Sequence, residues 1–343
     1  MRASVPSSAG VRVAFLVIAA ACSLAARAVA QQVPLVARVD HGARVVTVNP
    51  ITGAESRLYE SDLSRGWVSE VRVAPSGRFV AVLETIRGGG RDDARAGLPR
   101  NRLVVLHANG RVASAIERDV RQFAWCCGAG TLAIITGAYY EGGEGFLPDS
   151  ALLYDVVTGA ETPLVVPVAP TEVVWAAFDS SVYFGARASD DSLNVWRYHF
   201  PTRILTQTSY RGLVFSPSGN HYLVFSYSTG RTSRPGWHAV ERLSGRETAL
   251  PGPSIGAIQG WVFASGDQLL LLRSEGPTPR PQGHRPQAVV RRVMTTRFAV
   301  FDLTSRRITQ RGAGDLPAGT SASAGVVPIV RNGRLEVLRG PIP

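Results

Sequence analysis

The residues able to do chemistry are few and scattered. The six histidines, His41, His107, His199, His221, His238 and His284, contain no i, i+4 pair and no H-E-x-x-H, so helix-borne metal ligation is not predicted. The chain has no G-x-S-x-G nucleophile turn, no EF-hand-like acidic spacing and no phosphate-cradling P-loop. Beyond residue 30 the cysteines are Cys126 and Cys127, adjacent in the chain. A disulfide scaffold needs spaced pairs, so these read as small buried packing residues. Acid–base work would fall to Glu70 and Glu172, which with Gln122 each precede a strand-end residue (Val73, Trp175, Trp125) by three positions. The same offset ahead of Phe215, Phe263 and Val327 meets Gly212, Gly260 and Ala324. Three polar groups beside three near-absent side chains make either a lopsided pocket at a channel mouth or ordinary packing between sheets. No catalytic residue, cofactor or metal is expected.

Those positions line up because the chain repeats. One recurring unit is an apolar strand, a tight turn and a second apolar strand. Val71–Val73 turns through Ala74-Pro75-Ser76-Gly77 into Phe79–Leu83, and Leu213–Phe215 turns through Ser216-Pro217-Ser218-Gly219 into Tyr222–Phe225. Equivalent hairpins begin at Phe123, Val173, Trp261 and Val326. A second, more polar hairpin alternates with the first, at Val45, Leu103, Leu152, Val195, His238 and Phe298. Gly, Asn, Asp or Ser at each turn marks these as hairpins. Six of each kind give an all-β, six-bladed β-propeller of four-stranded antiparallel blades. The chain begins on a second hairpin (45–59) and ends on a first one (326–338). The last blade is therefore expected to be closed by the N- and C-terminal segments, which leaves no free edge between first and last blades.

Val73-Ala74-Pro75-Ser76-Gly77 and Phe215-Ser216-Pro217-Ser218-Gly219 resemble degenerate copies of the W-S-P-D-G turn of TolB-like and WD40-like propeller repeats. Asp155 to Gly159, with Leu164 beyond, resembles the D-x-x-T-G-x-x-x-x-L half of that repeat. The resemblance spans about residues 44–340. It implies the propeller fold and is weak for function. TolB itself carries an α/β domain ahead of its propeller, for which there is no room between Gln31 and Val45.

In such a blade the links between hairpins emerge on one face and the turns within hairpins on the other. The long links, 86–101, 138–150, 186–192, 228–236 and 274–296, should share a rim, where binding usually resides. Their candidate binding residues are Arg91, Arg95, Tyr139, Tyr140, Glu141, Glu144, Asp190, Asp191, Arg231, Arg234, Arg280 and Arg285. One side of the rim reads acidic and aromatic and the other basic, which would orient a polar partner.

The N-terminus reads as a signal peptide over 1–30. Arg2 and Arg12 precede the uncharged Val13–Ala26, and Ala28-Val29-Ala30 supplies a cleavage site before Gln31. That stretch falls short of the ~20 residues a membrane span needs. A lipoprotein anchored through Cys22 is the alternative. The propeller domain then occupies 31–343 as an expected monomer with no membrane span. All 37 basic residues are Arg, and the formal charge of +11 falls to +8 once Arg2, Arg12 and Arg27 leave with the leader. Export and the lysine-free composition argue against nucleic-acid binding. These readings converge on a non-enzymatic periplasmic or secreted binding or scaffold module that recognises an envelope or secreted protein or polymer. The alternative is a metal-dependent lactonase- or lyase-like enzyme with its site in the central channel.

Overall fold

The computed structural model describes residues 35–40, 42–49, 51–87, 99–126, 130–140, 145–187, 192–226, 236–250, 258–265, 267–275, 295–313, 320–322, 326–331 and 334–339. Among them, strands alternate with turns almost throughout. Sheet 1 holds β1 (Val36–Asp40), β2 (Arg44–Val48) and β3 (Glu55–Glu60). Sheet 2 holds β4 (Gly66–Val73), β5 (Phe79–Ile86), β6 (Arg100–His107) and β7 (Val112–Ile116). Sheet 3 holds β8 (Val120–Cys126), β9 (Thr131–Tyr140), β10 (Gly145–Asp155) and β11 (Glu161–Leu164). Sheet 4 holds β12 (Glu172–Ala176), β13 (Ser181–Arg187), β14 (Leu193–His199) and β15 (Ile204–Gln207). Sheet 5 holds β16 (Val214–Phe215), β17 (His221–Ser226), β18 (Gly236–Glu241) and β19 (Glu247–Ala249). Sheet 6 holds β20 (Ile258–Ser265), β21 (Gln268–Glu275), β22 (Thr295–Asp302) and β23 (Arg307–Ala313). The chain then forms β24 (Thr320–Ala322), β25 (Val326–Arg331) and β26 (Arg334–Arg339). Sheets 2 to 6 are antiparallel meanders in chain order, and β24 joins sheet 1 beside β1 as its fourth strand.

The second strand of a sheet is apolar on both sides because both sides are covered. Phe79, Val80, Ala81, Val82 and Leu83 are all buried, and so are Leu132 to Ile135 and Val182 to Phe184. Their alternate side chains enter two different cores. Ala37, Val45 and Leu58 of sheet 1 pack on Val80, Val82 and Val104 of sheet 2. Phe79, Leu83 and Leu103 face the other way, onto Phe123, Trp125, Leu132 and Ile134 of sheet 3. Ala133, Ile135 and Cys126 meet Val173, Val182 and Phe184 of sheet 4. Tyr183 and Val195 meet Leu213, Tyr210 and Phe215. Leu223, Ala239 and Leu250 meet Phe263 and Phe301 of sheet 6. Sheets 2 to 5 are thus each clamped between their chain neighbours. Cys126 sits in one of these cores, as its size predicted, while Cys127 lies outside the described residues.

Two expectations need correction. The hairpin 326–338 does not share a sheet with 45–59: β25 and β26 form a two-stranded sheet of their own, and β24 at 320–322 completes sheet 1. The cause is β1. Val36–Asp40 pairs with Arg44–Val48 across a turn in which Gly42 has φ 71°, so sheet 1 lacks one strand rather than two. The stretch 138–150, expected as a loop, is mostly strand. The β9–β10 ladder runs on to Tyr140 opposite Gly145, past a bulge between Pro148 and Ser150. Tyr139, Tyr140 and Phe146 are strand-forming types, and ladder hydrogen bonds are available to them there.

The outer hairpin turns follow one template. In Asp155–Gly159 the Asp155 carboxylate accepts from Val157 N at 3.0 Å, Thr158 N at 2.8 Å and Thr158 Oγ1 at 2.9 Å. Those bonds hold its carboxyl below the usual range, the Thr158 backbone bond contributing most. The fifth residue donates its N–H back to the first carbonyl and takes a left-handed backbone. Gly53, Gly159 and Gly245 occupy that place at φ 70–72°, but Arg203 and Arg306 occupy it at φ 57° and 54°. A side chain there costs about 1 kcal/mol. Opposite signs are therefore expected at equivalent positions. Arg203→Gly should stabilise by roughly 0.5 kcal/mol once the entropy of glycine is counted, and Gly159→Ala should destabilise by about 1 kcal/mol. Denaturant midpoints of the two variants check this.

Candidate functional site

The apolar run of β5 ends in a carboxylate. Glu84 is 1% exposed, and a buried charge is tolerated only with partners. Tyr59 on β3 donates its hydroxyl to Oε1 at 2.8 Å, and Arg102 on β6 donates Nε to Oε2 at 2.6 Å. The Ser61 hydroxyl adds a third bond. Burial pushes the Glu84 carboxyl up, but Ser61, Arg102 and Tyr59 together outweigh it and hold the group below its usual range. Burial, then the Glu84 acceptor, pushes the Tyr59 hydroxyl up to about 12. Arg102 reaches on to Glu117, with Nη1 3.5 Å from Oε1.

This network floors a cleft of about 240 Å³ between sheets 1 and 2, lined by Ser61, Asp62, Arg65, Arg100, Arg102 and Glu117 among others. Asp62 is fixed by Ser64, whose N–H and hydroxyl donate to Oδ1 at 3.0 and 2.7 Å. Arg65 lies 3.5 Å from Asp62 and is exposed, as are Leu63 and Trp67 beside it. Ile86 and Arg100, the ends of β5 and β6, border the same cleft. It therefore opens on the face of the long links. Thr85 Oγ1 donates to Asn101 Oδ1 at 2.8 Å, and Asn101 N–H donates to Asp119 Oδ1 at 2.7 Å. Asp119 Oδ2 lies 2.6 Å from Arg121 Nε. A Cβ at position 137 would meet Asp119 Oδ2 at 2.3 Å and Arg121 Nε at 2.6 Å, so a larger residue there would displace this pair. An ionised carboxylate held by three donors is a fixed electrostatic floor rather than a poised base. It sets the direction of Arg102 and couples β5 to β6, the two strands that flank the first long link.

The three residues expected at a channel mouth all have partners. Glu70 accepts from Arg72 Nε at 2.5 Å. Arg72 also donates to the Phe123 carbonyl on sheet 3, with its guanidinium 4.9 Å from the Phe123 ring. Gln122 Oε1 accepts from Val173 N–H on sheet 4 at 3.3 Å. Glu172 lies 3.5 Å from Arg187. Glu70 and Gln122 each follow a bulge, between Val68 and Glu70 and between Val120 and Gln122, which re-aims the strand start. Among the described residues no three His, Cys, Asp or Glu side chains gather as a metal-ligand set.

A second polar cluster lies on the opposite face. Asp267 accepts from Ser218 Oγ at 2.6 Å, Asn220 Nδ2 at 3.2 Å and His221 Nδ1 at 3.0 Å. It borders a cleft of about 610 Å³ with Glu241, Arg246 and Arg306. All of its donors come from the Ser216–His221 turn, so it joins sheet 5 to sheet 6.

Of the rim residues, Tyr139 and Tyr140 end β9. Arg91, Arg95, Glu141, Glu144, Asp190, Asp191, Arg231, Arg234, Arg280 and Arg285 lie outside the described residues. Sequence reasoning passed over Glu84, Arg102 and Tyr59. The available signal was a charge placed directly after five apolar residues on a strand whose two faces are both covered.

No family model matches the chain, and no curated protein matches its sequence. Solved structures do. An oligogalacturonate lyase from Vibrio parahaemolyticus superposes with TM-score 0.53 at 9% identity, over 69% of this chain and 70% of its own. TolB from Acinetobacter baumannii gives 0.48 at 10% identity, over 84% of this chain and 66% of its own. The β-propeller domain of the Trilobed protease from Pyrococcus furiosus gives 0.48 at 12%, over 81% and 84%. The architecture is propeller-like: several four-stranded antiparallel sheets stacked in chain order. At these identities the likeness is one of fold.

The Glu84 network makes the propeller's stability depend on pH in two windows. Tyr59 titrates near 12 when folded against an ordinary value of 10.0, so its contribution is full below pH 10 and is lost as pH rises toward 12. Glu84, held low, contributes above the usual carboxylate range and loses that as pH falls through its folded value. Tyr59→Phe should reduce the alkaline loss, and Glu84→Gln should flatten the acid limb while costing about 2 kcal/mol at neutral pH. Urea unfolding from pH 3 to 11.5 reads both.

Proposed function

We propose that this protein is a non-enzymatic binding or scaffold module, exported after removal of residues 1–30. On this reading it holds a protein or polymer partner of the envelope or exterior against the long-link face. On this reading the mature chain, 31–343, is one propeller in which six sheets reach four strands and β24 joins β1, with the β25–β26 sheet beside them, and it works as a monomer without nucleic acid. The observation that carries the reading is the cleft of Ser61, Arg65, Glu84 and Arg102. Its deep charges satisfy one another, while Arg65 on its lining and Leu63 and Trp67, two positions away in the chain, stand exposed. Arg and Trp are the residue types that dominate interface energies. On this reading the long links would supply Arg91, Arg95, Glu141, Glu144, Asp190, Asp191, Arg231, Arg234, Arg280 and Arg285, which lie outside the described residues, as a split field that orients a polar partner. Export is supported by the leader, and no helix among the described residues is long and apolar enough to cross a membrane.

Wild-type protein and a variant with Arg280, Arg285, Arg291 and Arg292 all changed to Gln should be immobilised and exposed to envelope extract. The partner retained by wild type should be lost or strongly reduced on the variant, with the difference fading at high salt. Equal capture would remove the charged rim from the account. Metal analysis of the purified protein separates the enzyme reading. A stoichiometric ion would turn attention to a channel site at Glu70 and Glu172, which instead lie beside Arg72 and Arg187.

A further inference from the structure

Among the described residues the C-terminal sheet has two strands where the other six have four. In sheets 2 to 6 the second strand of the first hairpin always carries a third strand on its outer edge: β5 carries β6, β9 carries β10, β13 carries β14, β17 carries β18 and β21 carries β22. β26 is the corresponding strand of the last hairpin, and among the described residues nothing pairs with its outer edge.

The register says which backbone groups that edge offers. Arg331 pairs with Arg334 across two residues, so this closing pair exchanges hydrogen bonds, and bonded pairs recur at every second position. Ile329–Glu336 and Val327–Leu338 are then bonded pairs, whereas Val330–Leu335, Pro328–Val337 and Val326–Arg339 are not. Pro328 agrees with this phase, since it has no N–H to give. In β26 the N–H and C=O groups of Leu335, Val337 and Arg339 therefore point away from β25. The two edges of the hairpin are unlike. On β25 the outward position at the centre is Pro328, the residue that blunts an edge. On β26 the outward position at the centre is Val337, which keeps its donor.

We propose that the outer edge of β26 is a strand-accepting site, which binds an extended segment of a partner polypeptide as the third strand of this sheet through the main-chain groups of Leu335, Val337 and Arg339. The flanking strands favour a partner segment over a second copy of this chain. β26 approaches β20 of sheet 6, and β25 follows β24 of sheet 1 in the chain. Sheets 1 and 6 both run to four strands, so in a stack of radial sheets the β26 edge would stand back from theirs by two strand widths, ~10 Å. An extended peptide enters such a slot. The β26 edge of a second copy, recessed to the same depth, does not reach it. Affinity would come from the main chain, so the partner is defined by an extended six-residue stretch with free N–H groups rather than by a fixed sequence.

The full mature chain can be tested with a soluble peptide copying β6, Arg100–His107, the strand that the β5 counterpart of β26 carries. In the free protein the amides of Leu335, Val337 and Arg339 should exchange with deuterium rapidly, and saturating peptide should slow them at least about tenfold. Val337→Pro removes an outward donor while leaving the bonds to β25 intact, and should weaken peptide binding about tenfold or more with no change in circular dichroism. Arg339→Pro, at the strand end, gives the same readout if the central variant does not fold. Slow exchange of these amides in the free chain, binding indifferent to both prolines, or no binding at millimolar peptide would overturn the proposal. So would a wild-type dimer that Val337→Pro makes monomeric, which would place a second copy on the edge.

Discussion

The fold depends on strands that cannot be solvated on either face. Phe79 to Leu83 place alternate side chains in two separate cores, one shared with sheet 1 and one with sheet 3. A strand of that kind is stable only inside a stack of sheets. Each fully buried Phe or Leu contributes roughly 2 kcal/mol, whereas a hydrogen bond between neighbouring sheets contributes about 1 kcal/mol. The apolar stack therefore decides that the sheets pack. The polar contacts, Trp125 Nε1 to the Arg72 carbonyl at 2.9 Å and Val173 N–H to Gln122, decide the register in which they do so.

That division explains what the sequence disclosed. Turns are local, and their chemistry was legible: Gly77 and Gly219 in the first hairpins, and Asp155 and Gly159 in the outer turn, all sit at the positions their types demand. The apolar second strands were legible for the same reason. Strand partnership was not, because nothing local to Thr320–Ala322 says that it lies beside Val36 rather than beside Val326. β1 carries Arg38 and Asp40 among three apolar residues, too weak a pattern to stand out just after a leader, although the Asp40–Ala43 turn with its glycine pointed to it. One added strand at the N-terminus displaced the assignment of the last hairpin.

The polar residues follow the same rule. Glu70, Gln122 and Glu172 drew attention by repeat position, and each has a partner in its own sheet or the next. Glu84 drew none, since it has no counterpart at the same place in other repeats and its partners come from β3 and β6. A repeat comparison finds what recurs, and recurrence serves the stack. What a single blade does differently is where specificity can reside, and it shows only once partners from distant strands are brought together.

The likeness to solved propellers carries the same lesson further. About one residue in ten is shared with the oligogalacturonate lyase, and yet the sheets superpose. Such a fold needs apolar second strands, left-handed turn positions and bulges near the strand starts, and it leaves nearly every other side chain unconstrained. Arg203 and Arg306 mark how loose even those requirements are, because each holds a glycine position at a cost of about 1 kcal/mol that the packed sheets absorb. What is particular to this chain is its own cleft, its own links and the outer edge of β26, since the architecture around them is compatible with many chemistries.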